Sequence, residues 1–314
     1  MAQASAKALA GKKTKHNWKR WLPVYIMALP GVIYLFINNY MPLPGLVLAF
    51  KNYNARKGIF GSDWAGFSNF KYLFATPDAF VITRNTILYN VVFIIVNTIL
   101  SIAVAIILSE LTTKAKKFYQ SAILLPYLIS AVIVSYLVFG FLSPENGFIN
   151  NSILGALGKE GISWYTEKQY WPFILVFVNS WKGIGYSCII YLATILGFDR
   201  AYYEAAAIDG ATKWQQITKI TLPMLKPTII MLTLMSIGRI FYSDFGLFYQ
   251  VPQNSGALLS VTNTIDTYVY RGLLELGDVT MSSAAGLYQS IVGFILVLGA
   301  NLVVRKVDAD SALF

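Results

Sequence analysis

The chain has 314 residues, of which 56% are hydrophobic and only 13% charged, about half the charged share of a soluble globular protein. So few charges cannot cover a soluble domain of this size, and the same composition excludes intrinsic disorder. One cysteine and one histidine exclude a disulfide framework and a Cys/His zinc cluster, and in so apolar a chain the net charge of +10 points to a membrane before nucleic acid.

About 20 apolar residues carry a helix across a hydrocarbon core of roughly 30 Å. On that measure the chain reads as an all-α integral membrane protein with six transmembrane helices. Residues 1–20 form a basic tail with Lys12, Lys13, Lys15, Lys19 and Arg20, suited to anionic headgroups. His16 in this tail reads as a solvated residue. The apolar run that follows is too long for a signal peptide and has no Ala-x-Ala site, so it reads as an uncleaved first span over 21–40. Loop 41–85 is rich in aromatics, Pro and Gly, and its length predicts short elements packed at the outer mouth.

The second span is expected over 86–109, where Asn90, Asn97 and Ser101 either bond substrate or pack against another helix. A third follows over 119–142, with Pro126 expected to kink it, as Pro30 kinks the first. The fourth, over 171–197, contains Lys182 and Cys188, the latter a small core residue. Trp21, Tyr119 and Trp171 stand at span ends, as an interfacial aromatic belt requires.

Segment 198–226 is a long cytoplasmic loop. Glu204 and the alanines 205–207 favour a helix over 200–208, stopped at Gly210. Thr212 is placed to cap a second helix over 213–220, which Pro223 ends, with Pro227 at the start of the fifth span. That span, 227–248, contains Arg239 and Asp244. Residues 263–271 read as a short amphipathic helix, and the sixth span runs over 283–304, opening on the small residues Ser283, Ala284, Ala285 and Gly286 as a close-packing face. Residues 305–314 are the second tail. With both ends inside, cytoplasmic pieces hold 15 Lys/Arg and outer pieces 8, the bias of the positive-inside rule.

Charges inside a bilayer cost about 2.5–3.5 kcal/mol each and usually face a cavity or a partner. One reading has Trp181, Lys182, Tyr186, Arg239 and Tyr242 lining a sugar pathway, with Asp244 nearby. Arg239 and Tyr242, three apart, would share a helix face. The other has these charges in interhelical ion pairs or snorkelling to the interface. Two cations would suit an acidic sugar.

The spacing Glu204-Ala205-Ala206, Gly210, Ile220, Leu222-Pro223 resembles the coupling loop of permease subunits of binding-protein-dependent ABC importers, without departure. Residues 39–45 and 49–54, and segment 260–271 with Ser282-Ser283-Ala284-Ala285-Gly286, are similar to the carbohydrate permeases, and more narrowly to those serving oligosaccharides and polysaccharide fragments, alginate importers included. The likeness covers nearly all the chain after about residue 20. It implies the type I importer permease fold with both termini cytoplasmic. It also implies docking on an ATPase through Glu204, Ala205, Ala206, Asp209 and Gly210, with Leu222 and Pro223 holding the loop to the bundle.

No Gly-x4-Gly-Lys-Ser/Thr phosphate loop occurs. The chain is therefore expected to be a transport subunit, not an enzyme, and to bind no cofactor. ATP and Mg would belong to two partner ATPase subunits. A second homologous permease and an extracytoplasmic binding protein complete the implied assembly, which works by alternating access. Alternatives are the same importer class with a non-sugar cargo such as amino acids or phosphate, or an ion-coupled secondary transporter. Neither paired carboxylates nor a Ser/His constellation supports an intramembrane enzyme.

Overall fold

The computed structural model describes residues 18–307. His16, most of the basic tail and residues 308–314 lie outside the described residues. The chain divides into two compact units, residues 1–47 and 48–314. The first carries helix α1 (Trp18–Leu35), with Pro23 and Pro30 inside it, extended by a π-helical turn over Phe36–Tyr40.

The second unit opens with a hairpin of β1 (Lys51–Asn52) and β2 (Asp63–Trp64), antiparallel with Lys51 opposite Trp64. The helices then follow as α2 (Ser68–Ala75), α3 (Pro77–Glu110), α4 (Thr113–Leu128), α5 (Ala131–Leu142) and α6 (Trp171–Leu196). Next come α7 (Ala201–Ile208), α8 (Lys213–Gln216), α9 (Leu222–Ile237), α10 (Ile265–Leu274) and α11 (Val279–Val307). Among the described residues five helices are long and apolar enough to span, and six if α4 and α5 count as one span bent by 95°.

Loop 41–85 holds short elements, but α3 starts at Pro77, nine residues before the span expected from residue 86. Pro77 sits in its first turn, where a missing N–H is harmless, and Asp78 favours the helix N-terminus. Arg84 therefore lies on the helix rather than in the loop.

The core is α3 against α6, supported by α4. Polar side chains bind the first pair. Asn97 Nδ2 donates to Asn179 Oδ1 at 2.8 Å, Ser180 Oγ donates to Asn97 Oδ1 at 2.8 Å, and Ser101 Oγ donates to the Ile184 carbonyl at 3.4 Å. Asn90 donates to the carbonyls of Thr86, Ile240 and Tyr242. These groups serve helix packing. Cys188 is buried beside Tyr191, Leu192 and Leu225, and Ala284 and Ala285 are fully buried. Trp171 departs from the belt expectation. It is fully buried, and its indole N–H donates to the Trp164 carbonyl at 2.7 Å.

α4 and α6 meet backbone to backbone. A Cβ on Gly185 would collide with the Ile123 carbonyl. The break after Leu128 follows Pro126, which cannot donate within the last turn of α4. Ser130 then caps α5 by accepting from the Ile133 N–H at 3.3 Å.

The fifth span also differs from expectation. Pro223 does not end a helix. A π-helical turn over Ile217–Thr221 absorbs the mismatch, and Pro223 occupies the first turn of α9. Helix continues from Lys213 to Ile237, with Pro227 inside it. It stops at Gly238, so Arg239 is not in mid-helix. Arg239 and Tyr242 do not share a helix face either; they close a turn in which the Tyr242 N–H donates to the Arg239 carbonyl at 2.9 Å. The amphipathic helix expected over 263–271 is present as α10, with the Thr264 N–H donating to Thr267 Oγ1 at 2.9 Å.

Candidate functional sites, a protruding loop and a polar cavity

Segment 197–226 folds as local chemistry dictates. The Asp199 carboxylate accepts from the Ala201 N–H at 3.0 Å and opens α7. Gly210 ends it at φ +78°, in the left-handed region that glycine enters without strain, and the Ala211 N–H closes onto the Ala206 carbonyl at 2.9 Å. Thr212 and Gln215 form a reciprocal capping box at the start of α8.

One ion pair ties this segment to α3, and one hydrogen bond braces it internally. Lys213 Nζ lies 2.8 Å from Glu110 Oε2 at the end of α3, and within the segment the Tyr203 hydroxyl lies 3.0 Å from Thr221 Oγ1. Outside those ties it projects apolar groups: Ile208 is 88% exposed and Trp214 72%. Large apolar side chains held this far into solvent by capped helices mark a surface that another body covers. Glu204, Ala205, Asp209 and Gly210 are exposed on the same segment, Ala206 is half-buried, and concave space of about 340 Å³ lies against Ala206, Asp209 and Gly210. Leu222 is half-buried and Pro223 exposed at the start of α9.

The second site lies where the α4/α5 break meets α6. A cavity of about 360 Å³ is lined by Tyr127, Asn179, Lys182 and Asp244, with Val134 and Leu247 among its apolar walls. Lys182 and Asn179 are three apart on α6 and share a face. Asn179 Oδ1 accepts from Asn97, and its NH2 group has no hydrogen-bond partner among the described residues. Asp244 Oδ1 accepts from the Leu247 N–H at 3.1 Å, which fixes the turn that carries it. Neither Lys182, Arg239 nor Asp244 makes an ion pair among the described residues of this chain.

The six residues singled out from sequence are separated by the fold. Lys182 and Asp244 line the cavity. Tyr186 stands beside it, its ring stacked on Tyr127 at 5.0 Å and 16°. Trp181 turns away into an apolar groove with Phe141, Phe173 and Phe177. Arg239 and Tyr242 do not line the cavity; the Tyr242 carbonyl serves Asn90, and its ring lies near Gly293. Tyr127 and Asn179 were not singled out. The i, i+3 step from Asn179 to Lys182 was the available signal for one, and the position of Tyr127 beside Pro126 for the other.

The end of the unit remote from Lys213 is tied by Arg271 of α10. Its Nε donates to Asn254 Oδ1 at 2.8 Å, and it lies over the Tyr249 ring at 5.8 Å. Burial pulls the Arg271 pKa below its usual range, against the pull of Glu275. The Tyr249 hydroxyl donates to Glu275 at 2.8 Å, and that bond first, burial second, raises its pKa.

Residues 73–309 match the family model described as "Binding-protein-dependent transport system inner membrane component". The chain belongs to this family. The permease is similar to the polygalacturonan/rhamnogalacturonan transport system permease protein YteP of Bacillus subtilis (strain 168), 35% identical over 92% of this chain and 89% of that one. It is also similar to Protein LplB of the same organism, 33% identical over 93% and 91% of the two chains. Among solved structures it resembles a bacterial ABC transporter involved in import of the acidic polysaccharide alginate, with TM-score 0.83, 33% identity and coverage of 92% and 97%. It equally resembles an alginate ABC transporter in complex with alginate pentasaccharide-bound periplasmic protein, with TM-score 0.84, 32% identity and coverage of 94% and 98%. The permease is thus a multi-pass membrane subunit of a bacterial ABC importer of the sugar and oligosaccharide class. The importer fold expected from the coupling-loop spacing is the fold found.

Proposed function

We propose that this permease carries an acidic oligosaccharide or polysaccharide fragment, released by an extracytoplasmic binding protein, through the cavity of Lys182 and Asp244. It pairs with a second, homologous permease chain. Two ATPase subunits, which bind the ATP and Mg, dock on segment 201–221 from the cytoplasm.

The observation that carries the cargo reading is the composition of the cavity wall. Lys182 and the free Asn179 amide present donors to a carboxylate, Asp244 accepts from hydroxyls, and the stacked Tyr127–Tyr186 pair offers a ring face to sugar C–H groups. Similarity to permeases and transporters whose names specify polygalacturonan and alginate supports the same class.

The coupling reading rests on the exposed Ile208 and Trp214 and on the rigid joint at Gly210. Glu204, Ala205, Ala206, Asp209 and Gly210 meet the ATPase; Leu222 and Pro223 pass its motion into α9. Closure of the ATPases moves the segment and alternates access to the cavity.

Reconstitution of the complete importer in proteoliposomes tests the whole reading. Saturated and unsaturated oligogalacturonides and alginate oligomers should stimulate ATP hydrolysis and accumulate inside. Stimulation by amino acids or phosphate instead, with none by oligosaccharides, would overturn it.

A further inference from the structure

Away from the polar cavity, α3 and α6 leave an apolar groove of about 690 Å³. One wall is a stripe of α3 at every fourth residue, Leu88, Val92, Val96 and Leu100; Phe173 and Phe177 of α6 form the other. Such a stripe lies on one helix face, so the groove runs along the axis of α3. From Arg84 to Leu100 it extends about 24 Å. That exceeds the roughly 15 Å of hydrocarbon that one leaflet contributes.

Arg84 closes the end of the groove remote from Lys213. It stands immediately before the charge-free run 85–109, the place from which a cation flanking a span reaches the headgroups. Its guanidinium is held in place: Nη2 donates to the Ser260 carbonyl and to Asn85 Oδ1, each at 2.9 Å, and the group rests over the Phe80 ring at 5.8 Å. No carboxylate pairs with it, and its Nη1 has no hydrogen-bond partner, among the described residues. A fixed, uncompensated cation at headgroup level thus surmounts a chain-length apolar slot.

We propose that this groove is a phospholipid site, with the phosphate on Arg84 and one acyl chain along Leu88, Val92, Val96 and Leu100. The charge selects a phosphodiester, which accepts the free guanidinium donors. The slot selects a hydrocarbon chain, since its walls offer a sugar almost nothing to bond. A helix of the second permease could cover the same stripe, but it would leave the Arg84 charge unanswered. The proposed cytoplasmic placement of segment 201–221 puts Arg84 and the phosphate in the outer leaflet; the groove and its ligand do not depend on that placement.

The test uses the full importer in nanodiscs of phosphatidylethanolamine and phosphatidylglycerol, with a trace of phosphatidylglycerol bearing a photoreactive acyl chain. Crosslinks should concentrate in peptides from residues 84–100 and 172–180. Arg84→Gln should lower their yield about tenfold, the loss expected when a hydrogen bond to a charged group is removed, while Arg84→Lys should retain most of it. Val96→Trp should block labelling with Arg84 intact, and a diacylglycerol probe carrying the same chain should label about tenfold less. Even labelling of all membrane-facing helices, or labelling indifferent to Arg84→Gln and Val96→Trp, would overturn the site. So would groove labelling that requires prior removal of the second permease, which assigns the slot to a partner helix. Failure of oligosaccharide uptake would remove the proposed cargo and leave the labelling result standing.

Discussion

Glu110 and Lys213 are 103 residues apart in the chain and 2.8 Å apart in the structure. Their contact joins the end of α3 to the first turn of α8, so it links the loop proposed to meet the ATPase to the longest helix of the bundle. Both side chains are more than half exposed, and pairs of this kind contribute at most about 1 kcal/mol. Lys213→Ala should therefore leave the thermal midpoint nearly unchanged. Uptake should fall by more than ATPase copurification, because a tie between moving parts is lost. The charge-exchanged pair Glu110→Lys with Lys213→Glu should recover uptake. Uptake unaffected by either single substitution would remove the tie from the transmission path.

Gly210 makes a cleaner separation between strain and contact. A Cβ there meets nothing within 4 Å, yet the residue sits at φ +78°. Gly210→Ala should cost roughly 1–2 kcal/mol through backbone strain alone. Gly210→Asn should cost less, since Asn tolerates this region better. Thermal unfolding and recovery of the complex on a tagged ATPase subunit measure both, and equal behaviour of the two variants would argue against strain as the cause.

Gly185 and Gly183 lie two residues apart on α6 and should respond oppositely. Gly185→Ala drives a methyl into the Ile123 carbonyl and should destabilise by about 1–3 kcal/mol, as overpacking does. At Gly183 the nearest group is the Asn97 amide at 3.8 Å, an ordinary contact. Gly183→Ala should fold with near-normal stability in detergent. Comparable losses in both would show that α4 and α6 do not cross here.

Tyr165 carries a buried hydroxyl with no hydrogen-bond partner among the described residues, and burial pushes its pKa up to about 12. Removing an unsatisfied buried hydroxyl is neutral or stabilising by up to about 1 kcal/mol. Tyr165→Phe should therefore hold or raise the thermal midpoint at neutral pH. The folded pKa lies above the unfolded value, so the neutral phenol's contribution is complete below about pH 10. It is lost as pH rises through about 12. The Phe variant should lack this alkaline loss. A drop in stability at pH 7 would mean that the hydroxyl has a partner.

Much of this architecture is legible in the sequence because its causes are local. The Thr212–Gln215 capping box and the stop at Gly210 can each be read from a few neighbouring residues. Pro223 misleads because its effect depends on the preceding turn: the π-helical turn at Ile217–Thr221 brings the chain into register with a new first turn, and no composition rule announces it. Arg239 misleads for a related reason. Hydropathy carries the fifth span past Gly238, but the helix ends there and the chain closes a turn. The cavity is only half legible. Lys182 and Asp244 declare themselves as charges in apolar runs, while Tyr127 and Asn179 are ordinary residues until the 95° break at Leu128–Ala131 brings them alongside.

The most direct test of the account is uptake by reconstituted importer carrying Lys182→Gln, assayed with an acidic oligogalacturonide and with its methyl-esterified, neutral counterpart. Losing a charged hydrogen bond should reduce acidic uptake about tenfold, leave the neutral substrate much less affected, and preserve basal ATP hydrolysis. Equal rates for wild type and Lys182→Gln on both substrates would contradict the pathway and the acidic cargo together.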